Sequence, residues 1–193
     1  MFDAGSVEDF PDRSDGARFE ALALPHLDAA YNLARWLVRN DDDANDVVQE
    51  AFLRAMRSFA GFRGDQARPW LLAIIRNTAF TWLSKNRPGS LQVSYDPEIH
   101  DEADAHDLRD SPSPEQEASR AQDRGLINAA LARLPIEMRE AVVLRELEDL
   151  SYREIAAIQA VPIGTVMSRL SRGRDLMRKY LRQRMPGVED ELH

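Results

Sequence analysis

The chain has 193 residues, which suits one domain or two small ones, and 44% of them are hydrophobic, enough to bury a core in each. There is no cysteine, which excludes disulfides and thiolate metal sites and fits a reducing compartment. The acidic first fifteen residues lack the apolar stretch of a signal peptide, and no apolar run approaches membrane-spanning length. We therefore expect a soluble, cytoplasmic protein without membrane insertion.

The net charge of −8 is concentrated in residues 88–123, which carry ten acidic and two basic residues. This segment contains four prolines and no helical apolar period, so we predict a flexible acidic linker. Two small helical domains are expected beside it, at residues 16–87 and 124–184, with a disordered N-terminus at 1–15 and a polar tail at 185–193. We expect the linker to compete weakly with DNA for basic surfaces nearby, an effect that salt would screen.

In the first domain, apolar residues recur at spacings of three and four from Arg18 to Val38, which predicts one long amphipathic helix. The run Asp41-Asp42-Asp43 follows, and short carboxylates suit the capped, positive end of the next helix. A divalent-metal site is the alternative use of three aspartates. No glycine turn or ligand spacing supports it, so we expect no metal.

The next helix is predicted from Ala44 to about Phe59, with an apolar side toward the core. Its outer side combines acids with an exposed leucine: Asp46, Gln49, Glu50, Leu53 and Arg57. A solvated face would explain the charges, since charged residues are mostly exposed. A protein-docking surface would also explain the leucine, and the pattern leaves both interpretations open.

Residues 61–70, GFRGDQARPW, read as a glycine- and arginine-containing loop that leads into a helix from about Pro69 to Lys85. Basic groups beside aromatic rings suit single-stranded nucleic acid, because phosphates take the charge and unstacked bases stack on the rings. Alternatively the tryptophans belong to the core, which we expect for Trp82 and leave open for Trp70. The polar candidates are Arg63, Arg68, Arg76, Asn77, Lys85 and Arg87.

Two apolar stripes separated by Pro135 predict a pair of helices at the start of the second domain. The stripes are Leu126, Ile127, Ala130, Leu131 and Leu134, and then Ile136, Ala141, Val142, Leu144 and Leu147.

The stretch after these helices has the pattern of a helix-turn-helix. Ser151 and Glu154 have the spacing of a capping box, which predicts a helix start. Pro162 ends that helix and is well placed as the first residue of a second one.

The second helix of this motif is strongly basic. Between Thr165 and Arg184 there are seven basic residues and one acid, which indicates a surface for phosphate. A predicted apolar stripe of Val166, Leu170, Met177 and Leu181 seats the helix on its partner. Other faces then carry Ser168, Ser171, Arg172 and Asp175. A solvated basic helix is the alternative, and the capping box and proline break argue against it.

Three stretches together resemble the bacterial sigma factors of the extracytoplasmic-function class: DDDANDVVQEAFLRAMRSFAGFRGD, RPWLLAIIRNTAFTWL and LPIEMREAVVLRELEDLSYREIAAIQAVPIGTVMSRLSRGR. The resemblance implies an all-α protein with a region 2 bundle and a region 4 helix-turn-helix. Such a protein binds RNA polymerase core, recognises the minus-ten and minus-thirty-five promoter elements and promotes strand opening. It also implies contacts with the clamp coiled coil of the largest subunit and with the second-largest subunit, and an anti-sigma factor as a partner.

The resemblance assigns roles to individual residues. It assigns core-polymerase binding to Asp46, Gln49, Glu50 and Leu53. It assigns minus-ten DNA to the loop from Gly61 to Arg68, where a flipped base is captured, and to the helix after it. The candidates are Arg63, Arg68, Trp70, Arg76 and Asn77. Minus-thirty-five DNA falls on Ser168, Ser171 and Arg172 for base edges, and on Thr165, Arg169 and Arg174 for phosphates.

Two positions depart from the family pattern. Met167 stands where lysine or arginine is usual, which predicts an altered promoter preference. Ala160 replaces the usual turn glycine, so it either adopts a left-handed backbone at a cost of about 1 kcal/mol or changes the turn.

Two other functions compete with this interpretation. A helix-turn-helix regulator acting without core polymerase would also explain the second domain. Catalysis is not expected, because His26, His100, His106 and His193 form no triad or metal-ligand spacing, and no cofactor is implied.

Overall fold

The computed structural model describes residues 13–64, 66–91 and 124–184, and every regular element in these ranges is helical. The first half contains α1 (Arg13–Ala23), α2 (Leu27–Val38), α3 (Asp41–Ser58) and α4 (Ala67–Asn86), with 3-10 turns at Leu24–His26, Phe59–Gly61 and Pro88–Leu91. The second half contains α5 (124–132), α6 (Ile136–Val142) with a π-helical turn at Val143–Leu147, α7 (Tyr152–Gln159) and α8 (Ile163–Arg184). The all-helical prediction is confirmed.

The single helix predicted from Arg18 to Val38 is wrong, because the chain breaks at Leu24–His26. Pro25 has no amide to donate and disfavours helical backbone in Leu24, so the chain forms a 3-10 turn there. The predicted disordered N-terminus extends too far, since residues 13–15 begin α1. Residues 1–12, most of the predicted linker and the tail lie outside the described residues.

The turn between α2 and α3 shows what the three aspartates do. Asn40 is the N-cap of α3, and its side-chain oxygen accepts from the Asp43 amide at 3.0 Å, so the cap lies one residue before the predicted run. Asp41 accepts from Arg35 at 2.7 Å and Asp43 from Arg87 at 2.9 Å. These carboxylates stabilise the positive end of α3 and tie it to α2 and to the end of α4.

The first half is a bundle in which α2, α3 and α4 pack against one another. Its buried side chains come from all three helices and include Leu33, Leu37, Val47, Ala51, Leu71, Leu72, Ile75 and Leu83. Small residues such as Ala34, Ala44 and Ala55 are fully buried, which lets the helices approach closely. The exposed side of α3 is thereby fixed relative to the start of α4.

The second half packs α6 and α7 against α8. At Gly173 an added Cβ would lie 3.0 Å from the Val142 side chain and 3.6 Å from Met138, so α8 passes closest to α6 at this glycine. Val166, Leu170 and Tyr180 are buried on either side of it, whereas Met177 and Leu181 are only half-buried.

Two predicted core residues are exposed: Ile127 by 44% and Leu147 by 51%. The reason at Leu147 is the π-helical turn, in which the Glu148 amide donates to the Val143 carbonyl at 3.2 Å. The wider turn shifts successive side chains about the helix axis, so Leu147 is exposed and the next residue, Glu148, is buried instead. The same turn directs Glu148 toward the first half.

The two halves pack against each other, with α4 contacting α7 and α2 contacting α6. Apolar residues of both halves form one continuous core cluster, which includes Leu71 and Ile75 from α4 and Ile155 from α7. Polar side chains also join the halves, and they include residues proposed above for nucleic acid.

Candidate polymerase-docking and nucleic-acid interfaces

The outer face of α3 carries all four residues that the sequence assigned to polymerase docking. Asp46, Gln49, Glu50 and Leu53 are exposed, and Leu53 is exposed by 50%. The opposite face of the helix, with Val47, Val48 and Ala51, is buried. Glu50 accepts from Arg54 at 2.7 Å, but both side chains are well exposed and such a pair is worth little in water. The face therefore offers an acidic surface around one apolar side chain.

An aromatic cluster lies at the base of the loop before α4. Phe62 and Trp70 have ring centroids 4.5 Å apart, and Phe59 lies 6.0 and 6.2 Å from them. Phe59 is buried, whereas Trp70 is half-buried, so Trp70 packs on the core while part of its side chain remains accessible. Arg63 is exposed on the loop. The cluster holds the two ends of the loop together beside a basic residue.

Trp82, expected in the core, is half-buried and packs against it. The Arg87 guanidinium lies 5.5 Å from its ring centroid.

The other α4 candidates are engaged with acids from the second half. Arg76 Nε donates to Glu140 Oε1 at 2.8 Å, and its Nη1 donates to Asn77 Oδ1 at 3.1 Å. Arg68 Nη2 donates to Glu148 Oε2, and the other oxygen of Glu148 accepts from Asn32 at 3.4 Å. Asn77 is exposed. Two of the five minus-ten candidates are thus bound to carboxylates inside the protein.

Glu140 is fully buried, and no described residue donates to its Oε2 atom. Burial raises the pKa of Glu140 to about 7, because removal from water penalises the charged form more than Arg76 and Arg169 stabilise it. The sequence analysis missed this residue. Its signal is a glutamate at four-residue spacing between two buried apolar residues, Ile136 and Leu144, on the face where the helix buries its core.

The helix-turn-helix begins as predicted. The Glu154 amide donates to the Ser151 hydroxyl at 3.3 Å, and the Ser151 amide donates to the Glu154 carboxylate at 2.7 Å. These hydrogen bonds favour the ionised form and lower the pKa of Glu154. Ala160 ends α7 in a left-handed conformation with φ of 53°, so of the two alternatives for this alanine the strained backbone is the one adopted.

The helix α8 begins at Ile163, one residue later than predicted, and the Pro162 carbonyl accepts from the Thr165 amide at 2.9 Å. Ser168, Ser171 and Arg172 are exposed along its first three turns, as base contacts require. Ser168 donates its hydroxyl hydrogen to the Thr165 carbonyl at 2.9 Å, which leaves its oxygen as an acceptor.

The phosphate candidates on α8 have partners within the second half. Arg169 donates to Gln159 at 2.8 Å, and Gln159, which is 2% exposed, donates to the Glu137 carbonyl at 3.3 Å. Arg174 donates twice to Glu146, at 2.6 and 3.0 Å, and this raises the pKa of Arg174. Thr165 is half-buried. The hydrogen bond between Arg169 and Gln159 therefore joins α8 to α7, and the sequence analysis did not predict it.

Among the described residues no group of three or more histidine and acidic side chains has the arrangement of a metal site. Within the same part of the chain, no helix combines the length and apolar character needed to cross a bilayer.

Comparisons with known proteins identify a family for each half of the chain. Residues 22–88 match the family Sigma-70 region 2, and residues 124–177 match the family Sigma-70, region 4. The chain is 37% identical over 172 residues to the RNA polymerase sigma-H factor of Pseudomonas aeruginosa, covering 88% of this chain and 89% of that protein. It is 41% identical over 167 residues to the ECF RNA polymerase sigma-E factor of Escherichia coli K12, covering 84% and 86%.

A solved structure of the sigma factor RpoE from Bartonella quintana, in complex with the anti-sigma factor NepR, is also similar. It superposes with a TM-score of 0.67 at 26% identity, covering 86% of this chain and 97% of that one. Members of this family bind RNA polymerase core and promoter DNA. The chain belongs to the extracytoplasmic-function class of bacterial sigma factors.

Proposed function

We propose that this alternative sigma factor divides promoter recognition among three surfaces. The α3 face of Asp46, Gln49, Glu50 and Leu53 docks on the polymerase core. Arg63 in the loop before α4 and the α4 residues Arg68, Trp70, Arg76 and Asn77 contact the minus-ten element. The exposed side of α8, with Ser168, Ser171 and Arg172, reads the minus-thirty-five element, and Thr165, Arg169 and Arg174 support it at the phosphates.

The observation that carries this proposal is that the docking residues and the base-reading residues are exposed on separate helices. Asp46, Glu50 and Leu53 lie opposite a buried face of α3, so their outward direction is fixed by the core. Arg172 on α8 is exposed, and a guanidinium there can donate two hydrogen bonds to guanine in the major groove. The two activities can therefore be separated by mutation.

The loop before α4 supports the minus-ten role through its aromatic cluster. A partly accessible Trp70 held by Phe62 provides a ring on which an unstacked base can pack, and Arg63 lies nearby in sequence for a phosphate. Extruding one base costs a few kcal/mol, which such a contact offsets without ATP. The role is one of binding in the cytoplasm, without catalysis.

An anti-sigma factor is part of the proposal, because the similar RpoE was solved with NepR bound. Such a partner would regulate this chain by occupying surfaces that the polymerase needs.

Titration of labelled protein with purified core polymerase tests the docking face. The triple variant Asp46→Ala, Glu50→Ala, Leu53→Ala should bind core more than about tenfold more weakly, since it loses an apolar anchor and its polar rim. Asn45→Ala, an exposed neighbour on the same helix, should bind as the unmodified protein does. Unchanged affinity in a folded triple variant would refute this docking surface.

A further inference from the structure

Met167 is an exposed apolar side chain on the helix that carries the base-reading candidates. Its side chain is 52% exposed, and Ile163, four residues earlier on the same face, is 39% exposed. The neighbouring exposed residues Ser168, Ser171 and Arg172 are polar. A methionine with this exposure contributes little to the core, so its packing does not explain its position.

The chemistry of the major groove indicates what Met167 can contact. Each base pair presents hydrogen-bond donors and acceptors there, and the thymine C5-methyl is the apolar group. A thioether cannot donate a hydrogen bond and is flexible enough to fit against a methyl group. When the first turns of α8 enter the groove, Met167 enters beside Ser168 and Ser171.

We propose that Met167 is a specificity-determining residue that selects thymine in the minus-thirty-five element by apolar contact with its C5-methyl. This inference rests on the proposed function, because it requires α8 to lie in the major groove. Ile163 extends the same apolar strip toward the start of the helix.

Transcription by the reconstituted holoenzyme from a library randomised in the minus-thirty-five region identifies the preferred bases. One position should favour thymine with the unmodified protein and lose that preference with Met167→Ala. Deoxyuridine at that position removes only the methyl group. It should lower transcription about fourfold for the unmodified protein, as for one buried methyl, and have no effect on Met167→Ala.

Two controls separate the possible failures. Gln183→Ala, at the exposed end of the same helix, should keep the thymine preference. If Arg172→Ala changes base preference while deoxyuridine is tolerated equally by the unmodified protein and Met167→Ala, the inference about Met167 is wrong. If Arg172→Ala also leaves every base preference unchanged, the proposed placement of α8 in the major groove is wrong.

Discussion

The two surfaces proposed for nucleic acid differ in the contacts that their side chains make within the protein. On α4, Arg76 and Arg68 are bound to Glu140 and Glu148 from the other half of the chain. On α8, Ser171 and Arg172 are exposed. A cation that compensates a buried carboxylate must be released before it binds a phosphate, and its release leaves the carboxylate uncompensated, whereas an exposed cation is available at once. Two of the proposed minus-ten side chains are thus held by carboxylates of the other half, whereas Arg169 and Arg174 on α8 have partners only within their own half and Arg172 is exposed.

The largest effect is expected when the ion pair between Arg76 and Glu140 is broken. Arg76→Ala leaves Glu140 buried without its donor, which should cost about 2–3 kcal/mol of stability at pH 8. Urea unfolding followed by circular dichroism measures it. Lys85→Ala, at the exposed end of α4, should change stability by less than about 0.5 kcal/mol. Equal losses of stability in Arg76→Ala and Lys85→Ala would show that the pairing of Arg76 with Glu140 does not stabilise the fold.

The loss of stability caused by Arg76→Ala should depend on pH. The pKa of Glu140 in the folded protein is about 7, above its ordinary 4.5, so the folded protein binds the proton more tightly. The stabilisation from this tighter proton binding by Glu140 is therefore full below pH 4.5 and is lost as pH rises through 7. At pH 5.5 the carboxyl is neutral, and the Arg76→Ala loss should shrink. A loss that grew on acidification would contradict the buried, neutralised state.

The next effect concerns the exposed surface. Arg172→Ala should lower transcription from a preferred promoter about tenfold or more and relax base preference at one position, since a bidentate guanine contact is worth about 1–3 kcal/mol. Arg178→Ala, whose side chain pairs with Asp175 further along the helix, is the matched control. Run-off transcription on matched and mismatched promoters measures both. A uniform loss on all promoters would make Arg172 a phosphate contact.

The smallest effect concerns the turn that orients α8. Ala160 is left-handed, with φ of 53°, so Ala160→Gly should raise stability by about 0.5–1 kcal/mol. Ala157→Gly, exposed in the preceding helix, should lower it by a similar amount because glycine is a poor helix former. Thermal unfolding by calorimetry compares the two. Destabilisation by both glycines would show that the turn carries no strain.

These differences also mark how far the sequence could be interpreted. The capping box at Ser151, the break at Pro162 and the outward side of α3 depend on residues three or four apart, and such local signals are explicit in a sequence. The contact of Arg76 with Glu140 joins residues 64 positions apart. It depends on how two halves pack, which no local pattern contains. The position of Glu140 in the apolar stripe of α6 is a local signal of a buried acid that the sequence analysis overlooked, and that signal does not identify Arg76 as the partner.

Smaller misses have equally local causes. Leu147 satisfied the apolar spacing of an α-helix, but the backbone there forms a π-helical turn that changes which side chains face inward. The α1–α2 region kept a helical period across Pro25, although the proline prevents a continuous helix. In both places the apolar residues keep α-helical spacing, but the backbone is not a continuous α-helix.

The central claim is that this chain gives core RNA polymerase the ability to start at particular promoters. Transcription with purified core enzyme on a promoter library, with and without the chain, tests it most directly. The claim predicts discrete start sites that appear only when the chain is present and that disappear with the Asp46, Glu50, Leu53 triple variant. Sequence-specific binding of duplex DNA by the chain alone, with no new start sites when core enzyme is added, would contradict it.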